Sequence, residues 1–240
     1  MTPPPGPDAG PGAGEAAGGI ESLSPFLYAG TTDRAADRAA NTAAVLDQVR
    51  ASTLAKIAEI TELRQAVAQR DAARLAECAA EAAARFAAGG RLFAFGNGGS
   101  ATDAQQLATL FLNPGHDWPP LPAFSLASDT SVLTALANDV GVEVVFSRQL
   151  GAFGTKHDIA VGLSTSGNSA NLVRAFDEAA RRGMLTIGLA GYDGGKMAEL
   201  DSIDYLFVAP SSSVHRIQEA QTTTYHVLWE LIATAYQGAS

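Results

Sequence analysis

The chain has 240 residues, 47% of them hydrophobic, enough for one globular domain with a sizeable core. Its 16 basic and 25 acidic residues leave a formal net charge of −9, which argues against a nucleic-acid or anionic-membrane binder, since either needs a basic face. The single cysteine, Cys78, permits no internal disulfide and fits a reducing compartment.

Residues 1–20 hold 6 Gly, 5 Pro and 4 Ala, with neither the cationic start nor the apolar core of a signal peptide. Residues 1–32 therefore read as a disordered tail, and 33–240 as one cytoplasmic domain including its N-terminal helices. No apolar run approaches the ~20 residues of a membrane span. From Asp33 to Glu62 the pattern predicts an amphipathic helix, with Leu46, Val49, Thr53, Ile57 and Ile60 spaced by three and four. Its apolar stripe needs a partner. A second, alanine-rich helix is expected from about Arg64 to Ala88, stopped by Gly89-Gly90. Cys78 falls on it as a small core residue.

The rest alternates strand and helix. Short, uniformly apolar strands are expected at 92–95, 123–127, 159–164, 185–190 and 205–208, as in a parallel sheet covered on both faces. Helices are expected near 101–112, 130–138, 144–153 and 169–182, with a long final one at 214–236. The fold class is α/β, a three-layer α/β/α sandwich with a five-stranded parallel sheet and the N-terminal helices packed outside.

Two strand-to-helix turns stand out. Gly96-Asn97-Gly98-Gly99-Ser100 follows the first strand, with glycines that permit left-handed backbone and Ser100 placed as an N-cap. Ser164-Thr165-Ser166-Gly167-Asn168-Ser169 follows the third, offering hydroxyls and the amides of a helix start to an anion. In open parallel sheets ligands sit beyond the carboxyl ends of the strands, where both turns fall. The first turn lacks the G-x-G-x-x-G spacing of a dinucleotide site. Together they suggest a shared phosphate-ester site.

With Ala137-Asn138-Asp139, Gly191-Tyr192-Asp193-Gly194-Gly195 and Arg216-Ile217-Gln218-Glu219, these turns occur in an order and spacing that resemble the SIS (sugar isomerase) domain of bacterial phosphoheptose isomerases. The likeness covers about residues 40–235. It implies that Ser164, Thr165, Ser166 and Ser169 hold a phosphate, and that Asn97, Gly98, Gly99, Ser100, Asn138 and Asp139 line the sugar. Gln218 and His226 match family residues that reach a metal and the reacting carbons. A sugar phosphate ligand and a homotetramer are implied as well.

One departure is specific. The family carries a histidine and, four residues on, a glutamate on the helix after the first turn, and both ligate zinc. The glutamate moves the proton between C1 and C2. Those positions here are Gln106 and Leu110. Leucine moves no proton, and glutamine is a poor substitute for imidazole on zinc. The expectation is therefore no metal or other cofactor, with His226 as the candidate base and Asp139 or Asp103 assisting. The readings are an isomerase of sedoheptulose 7-phosphate or a related sugar phosphate with impaired or altered catalysis, or a non-catalytic phosphosugar-sensing or protein-binding regulator. The latter resembles the replication-initiator-associating branch of the family. A third, a scaffold with a vestigial pocket, is disfavoured by the intact serine turn.

Overall fold

A computed structural model describes residues 34–115 and 118–239. The tail expected at 1–32 lies outside the described residues. Compactness divides the chain after Leu54. In the first unit the described residues, 34–54, are helical, and Val45, Leu46, Val49 and Leu54 are exposed. They belong to one helix, α1 (Arg34–Ala87), where the composition suggested two. The reason is local: no Gly or Pro interrupts residues 34–87, and alanine has the highest helix propensity. Gly89, at φ 81°, ends it as expected.

The second unit, 55–240, holds the sheet. Its strands are β1 (Leu92–Gly96), β2 (Ala123–Ser125), β3 (Ile159–Leu163), β4 (Leu185–Gly191) and β5 (Tyr205–Ala209), all parallel in the order β2-β1-β3-β4-β5. The helices are α2 (Gly99–Leu112), α3 (Thr130–Asp139), α4 (Val145–Phe153), α5 (Ala170–Arg181) and α6 (Val214–Ala239). β1, β3 and β4 are buried along their whole length, which accounts for their unbroken apolar sequence. Strand β2, an edge strand, stops two residues short of the expected end.

Each sheet face has its own core. One packs Leu75, Cys78, Phe86, Leu107, Phe111, Tyr225 and Ile232 from α1, α2 and α6 against Leu92, Val161 and Ile187. The other packs Phe146, Leu150, Leu172 and Phe176 from α4 and α5 against Phe93, Phe95 and Ala160. Cys78 is fully buried, and burial pushes its thiol well above the usual range, so it is an inert core residue. At the amino ends of the strands, Asp158 accepts from the Arg91 amide at 2.8 Å, Arg91 Nη2 at 3.0 Å and the Thr155 amide at 2.8 Å.

Candidate functional site

The strand order reverses between β1 and β3, and in this topology that reversal is the crevice that takes a ligand. The Gly96–Ser100 turn leaves β1 and the Ser164–Ser169 turn leaves β3 side by side, since Gly96 pairs with Leu163. Asn97 and Asn171 lock them together through reciprocal amide bonds, each Nδ2 donating at 2.9 Å.

In the first turn the cap differs from expectation. Helix α2 starts at Gly99, with Gly98 as N-cap at φ 56°, and Ser100 is buried within the first helical turn. A glycine cap is required because no other residue takes that backbone cheaply. Gly99 is required for a second reason: a Cβ there would lie 2.2 Å from Nε2 of Gln218. The α6 amide thus lies directly over the turn.

In the second turn the Ser164 hydroxyl accepts from the Gly167 amide at 3.0 Å and lies 3.5 Å from Ser169 Oγ. Ser166 Oγ accepts from the Asn168 amide at 3.2 Å. Ser169 is the N-cap of α5, yet its side chain makes no capping bond. A capping position that withholds its hydroxyl leaves that group, with the first amides of α5, open to an anion. The loop is held from behind by the segment after β4. Lys196 N donates to Asn168 Oδ1 and Met197 N to the Gly167 carbonyl, both at 3.0 Å. Gly167 sits at φ 67°, where a Cβ would meet the Gly194 carbonyl at 1.9 Å, so Gly194 and Gly195 serve close packing between two loops.

On α6 one face looks into the crevice. Gln218 lies over Gly99, and Gln221 donates to the Ser164 carbonyl at 3.2 Å. His226 is half-buried, with Nδ1 2.8 Å from the Thr222 carbonyl. A carbonyl only accepts, so Nδ1 carries the hydrogen and the neutral ring keeps its lone pair on Nε2. Across from α6, Gln106 is exposed and Leu110 is half-buried against the core.

Of the residues singled out from sequence, Asn97, Gly98, Gly99, Ser100, Ser164, Thr165, Ser166, Ser169 and Gln218 fall on the two turns and on the α6 amide that crosses the first. Asn138 and Asp139 lie at the exposed end of α3, with Asn138 Nδ2 donating to Asp139 Oδ1 at 2.8 Å. Asn171, Gln221 and Tyr225 were not anticipated. The first reaches its partner across 74 residues of chain. The others follow Gln218 by three and seven, a helical spacing that could have marked them.

This fold, with two glycine- and serine-rich turns at its switch point, is a parallel α/β sandwich, and a model of the SIS domain family matches residues 57–191, more than half the chain. The chain is 42% identical over 186 residues to a phosphoheptose isomerase of Nitratidesulfovibrio vulgaris, covering 77% of this chain and 88% of that one. It is 48% identical over 170 residues to one from Desulfovibrio desulfuricans, covering 70% and 80%. The phosphoheptose isomerase structure from Neisseria gonorrhoeae superposes with a TM-score of 0.70 at 36% identity, covering 78% of this chain and 99% of that one. The chain belongs to the phosphoheptose isomerase family of SIS domain proteins.

Proposed function

We propose that this chain binds a sugar phosphate of the sedoheptulose 7-phosphate kind and interconverts its ketose and aldose forms slowly. The observation that carries the binding half is the Ser164–Ser169 turn, above all the Ser169 hydroxyl, which makes no capping bond at the start of α5. The names of its relatives supply the substrate class. Asn97, Gly98, Gly99, Ser100 and Gln218 line the sugar in this reading, with Asn138 and Asp139 contributing from the end of α3. His226, with its lone pair on Nε2, is the base.

The zinc ion that the family implies fits these side chains poorly. Gln106 offers an amide, Leu110 a hydrocarbon, and the Gln218 amide is pressed against Gly99. That leaves His226 as the one good ligand of the four positions. The reaction is accordingly proposed without a resident metal or cofactor, in a cytoplasmic homotetramer. Among the described residues no helix is long and apolar enough to cross a membrane. The packing of Leu110 against the core favours a second reading, in which the pocket senses a phosphosugar without turnover.

The test of the binding half is Ser166→Ala with Ser169→Ala. Hydrogen bonds to a charged group are worth about 1.5–3 kcal/mol each, so the pair should weaken sedoheptulose 7-phosphate binding on the order of 10²-fold or more. Calorimetric titration reads this directly. Unchanged affinity in the double variant overturns the assignment.

A further inference from the structure

The deeply buried carboxylates of this molecule are paired. Asp71, 3% exposed, is gripped by Arg70, and Asp158, 1% exposed, by Arg91. Asp103 on α2 is different. Its Oδ2 is sealed from solvent without a hydrogen-bond partner, while the residue as a whole is only half-buried. Burial raises its pKa, and no cation offsets that.

The surroundings of Asp103 are equally unspent. Tyr225 on α6 is fully buried, and its hydroxyl lies beside that of Thr222. Gln221, 2% exposed, uses its Nε2 on the Ser164 carbonyl and leaves Oε1 unbonded. Burial above all raises the Tyr225 phenol, a hydrogen bond with Thr222 lowers it, and the charge of Asp103 raises it a little further. The Thr222 hydroxyl beside them is committed to the Gln218 carbonyl at 2.9 Å. Leaving a buried polar atom unpaired costs stability. Asp103 Oδ2 on α2 and Gln221 Oε1 on α6 are two such atoms, and an unpaired buried group on an element that borders the crevice marks a candidate functional group.

Position completes the case. Gly99, Asp103, Gln106 and Leu110 follow one another by four, three and four, so they form a single stripe along α2. Asp103 stands one turn beyond the glycine over which Gln218 lies. We propose that Asp103 is a catalytic acid–base residue of this chain that carries a proton between the two reacting carbons of a bound sugar phosphate. This rests on the phosphosugar reading above.

The step balances without an outside reagent. The Asp103 carboxylate takes a proton from C1 of the open ketose, the C–H pair forms C1=C2, and the carbonyl pair moves to O2. Nε2 of His226 accepts the O1 proton and passes it to O2. The O1 electrons then form the aldose carbonyl, and C2 takes its proton from the Asp103 carboxylic acid.

The experiment is hydrogen exchange at C1 and C2 of sedoheptulose 7-phosphate in D₂O, followed by NMR on the full chain, beside ligand-induced thermal shift. Asp103→Asn should keep the thermal shift and lose exchange on the order of 10²-fold or more. Asp103→Glu should recover part of it. Where Asn impairs folding, Asp103→Ala with added formate serves instead, and formate should restore exchange. Exchange at the wild-type rate in Asp103→Asn, or no rescue by Glu or formate, overturns the assignment. Wild-type protein that binds without exchanging overturns it too and leaves the binding reading standing. Protein that neither binds nor exchanges overturns both.

Discussion

Asp103 and Asp158 each bury a carboxylate oxygen, and the same substitution should move stability in opposite directions at the two positions. Burial alone would raise the pKa of Asp158, but Arg91 and Thr155 outweigh it and hold the group below the usual carboxylate range. A depressed pKa contributes stability above the unfolded value, and that stability is lost as pH falls toward the folded one. Asp158→Asn should therefore cost about 3 kcal/mol at neutral pH, the low end for breaking a buried pair because Arg91 is a third exposed. The deficit should shrink in acid melts, as the pH falls below the unfolded carboxylate value toward the folded one. For Asp103 the sign reverses. Its raised pKa penalises the folded state above the unfolded value, and the penalty disappears as pH falls. Asp103→Asn should leave neutral-pH stability unchanged or higher, with the difference vanishing in acid. A destabilised Asp103→Asn in denaturant melts would mean that the carboxyl has a structural partner.

At the level of elements, the two turns work because other loops and α6 press on them. Gly167→Ala puts a side chain into left-handed backbone and onto the Gly194 carbonyl. The backbone term alone is about 1–2 kcal/mol, so a lowered melting temperature and loss of phosphosugar affinity should appear together. A variant with wild-type affinity would show that the loop behind the cradle is not supporting it. Helix α2 permits the converse experiment. Positions 106 and 110 are one turn apart, so Gln106→His with Leu110→Glu restores an imidazole and a carboxylate on one face, toward α6. Zinc binding by calorimetry and a faster isomerisation should follow. No gain in either would mean that these positions do not share the pocket with His226. Both turns were legible in the sequence, because glycine and serine patterns encode local backbone geometry. So were the central strands, whose burial on both faces leaves unbroken apolar runs. The unbroken α1 was legible in principle, since nothing between Glu62 and Arg64 stops a helix. The Asn97–Asn171 pair and the unpaired carboxylate oxygen of Asp103 were not, because they depend on how elements far apart in the chain pack together.

For the whole molecule, assembly is the first question. Val45, Leu46, Val49, Leu54 and Ile57 are each about half exposed or more, an apolar set that water disfavours. In the second unit, α1 and α6 frame a further apolar groove of about 310 Å³ lined by Val67, Ala72, Leu75, Val227 and Leu231. Both surfaces are apolar area that the proposed homotetramer would cover, and on that proposal light scattering at micromolar concentration should return four times the chain mass. A monomer at that concentration contradicts this. The proposed function combines a serine-lined cradle for phosphate with a catalytic wall altered at Gln106 and Leu110. The measurement that bears on it most directly follows sedoheptulose 7-phosphate with the wild-type protein by NMR, before and after a chelator, with thermal shift read in parallel. The expected result is a clear shift with turnover about 10² to 10⁴ below a normal family enzyme, unaffected by the chelator. Turnover at the rate of a normal family enzyme, abolished by metal removal, would contradict it.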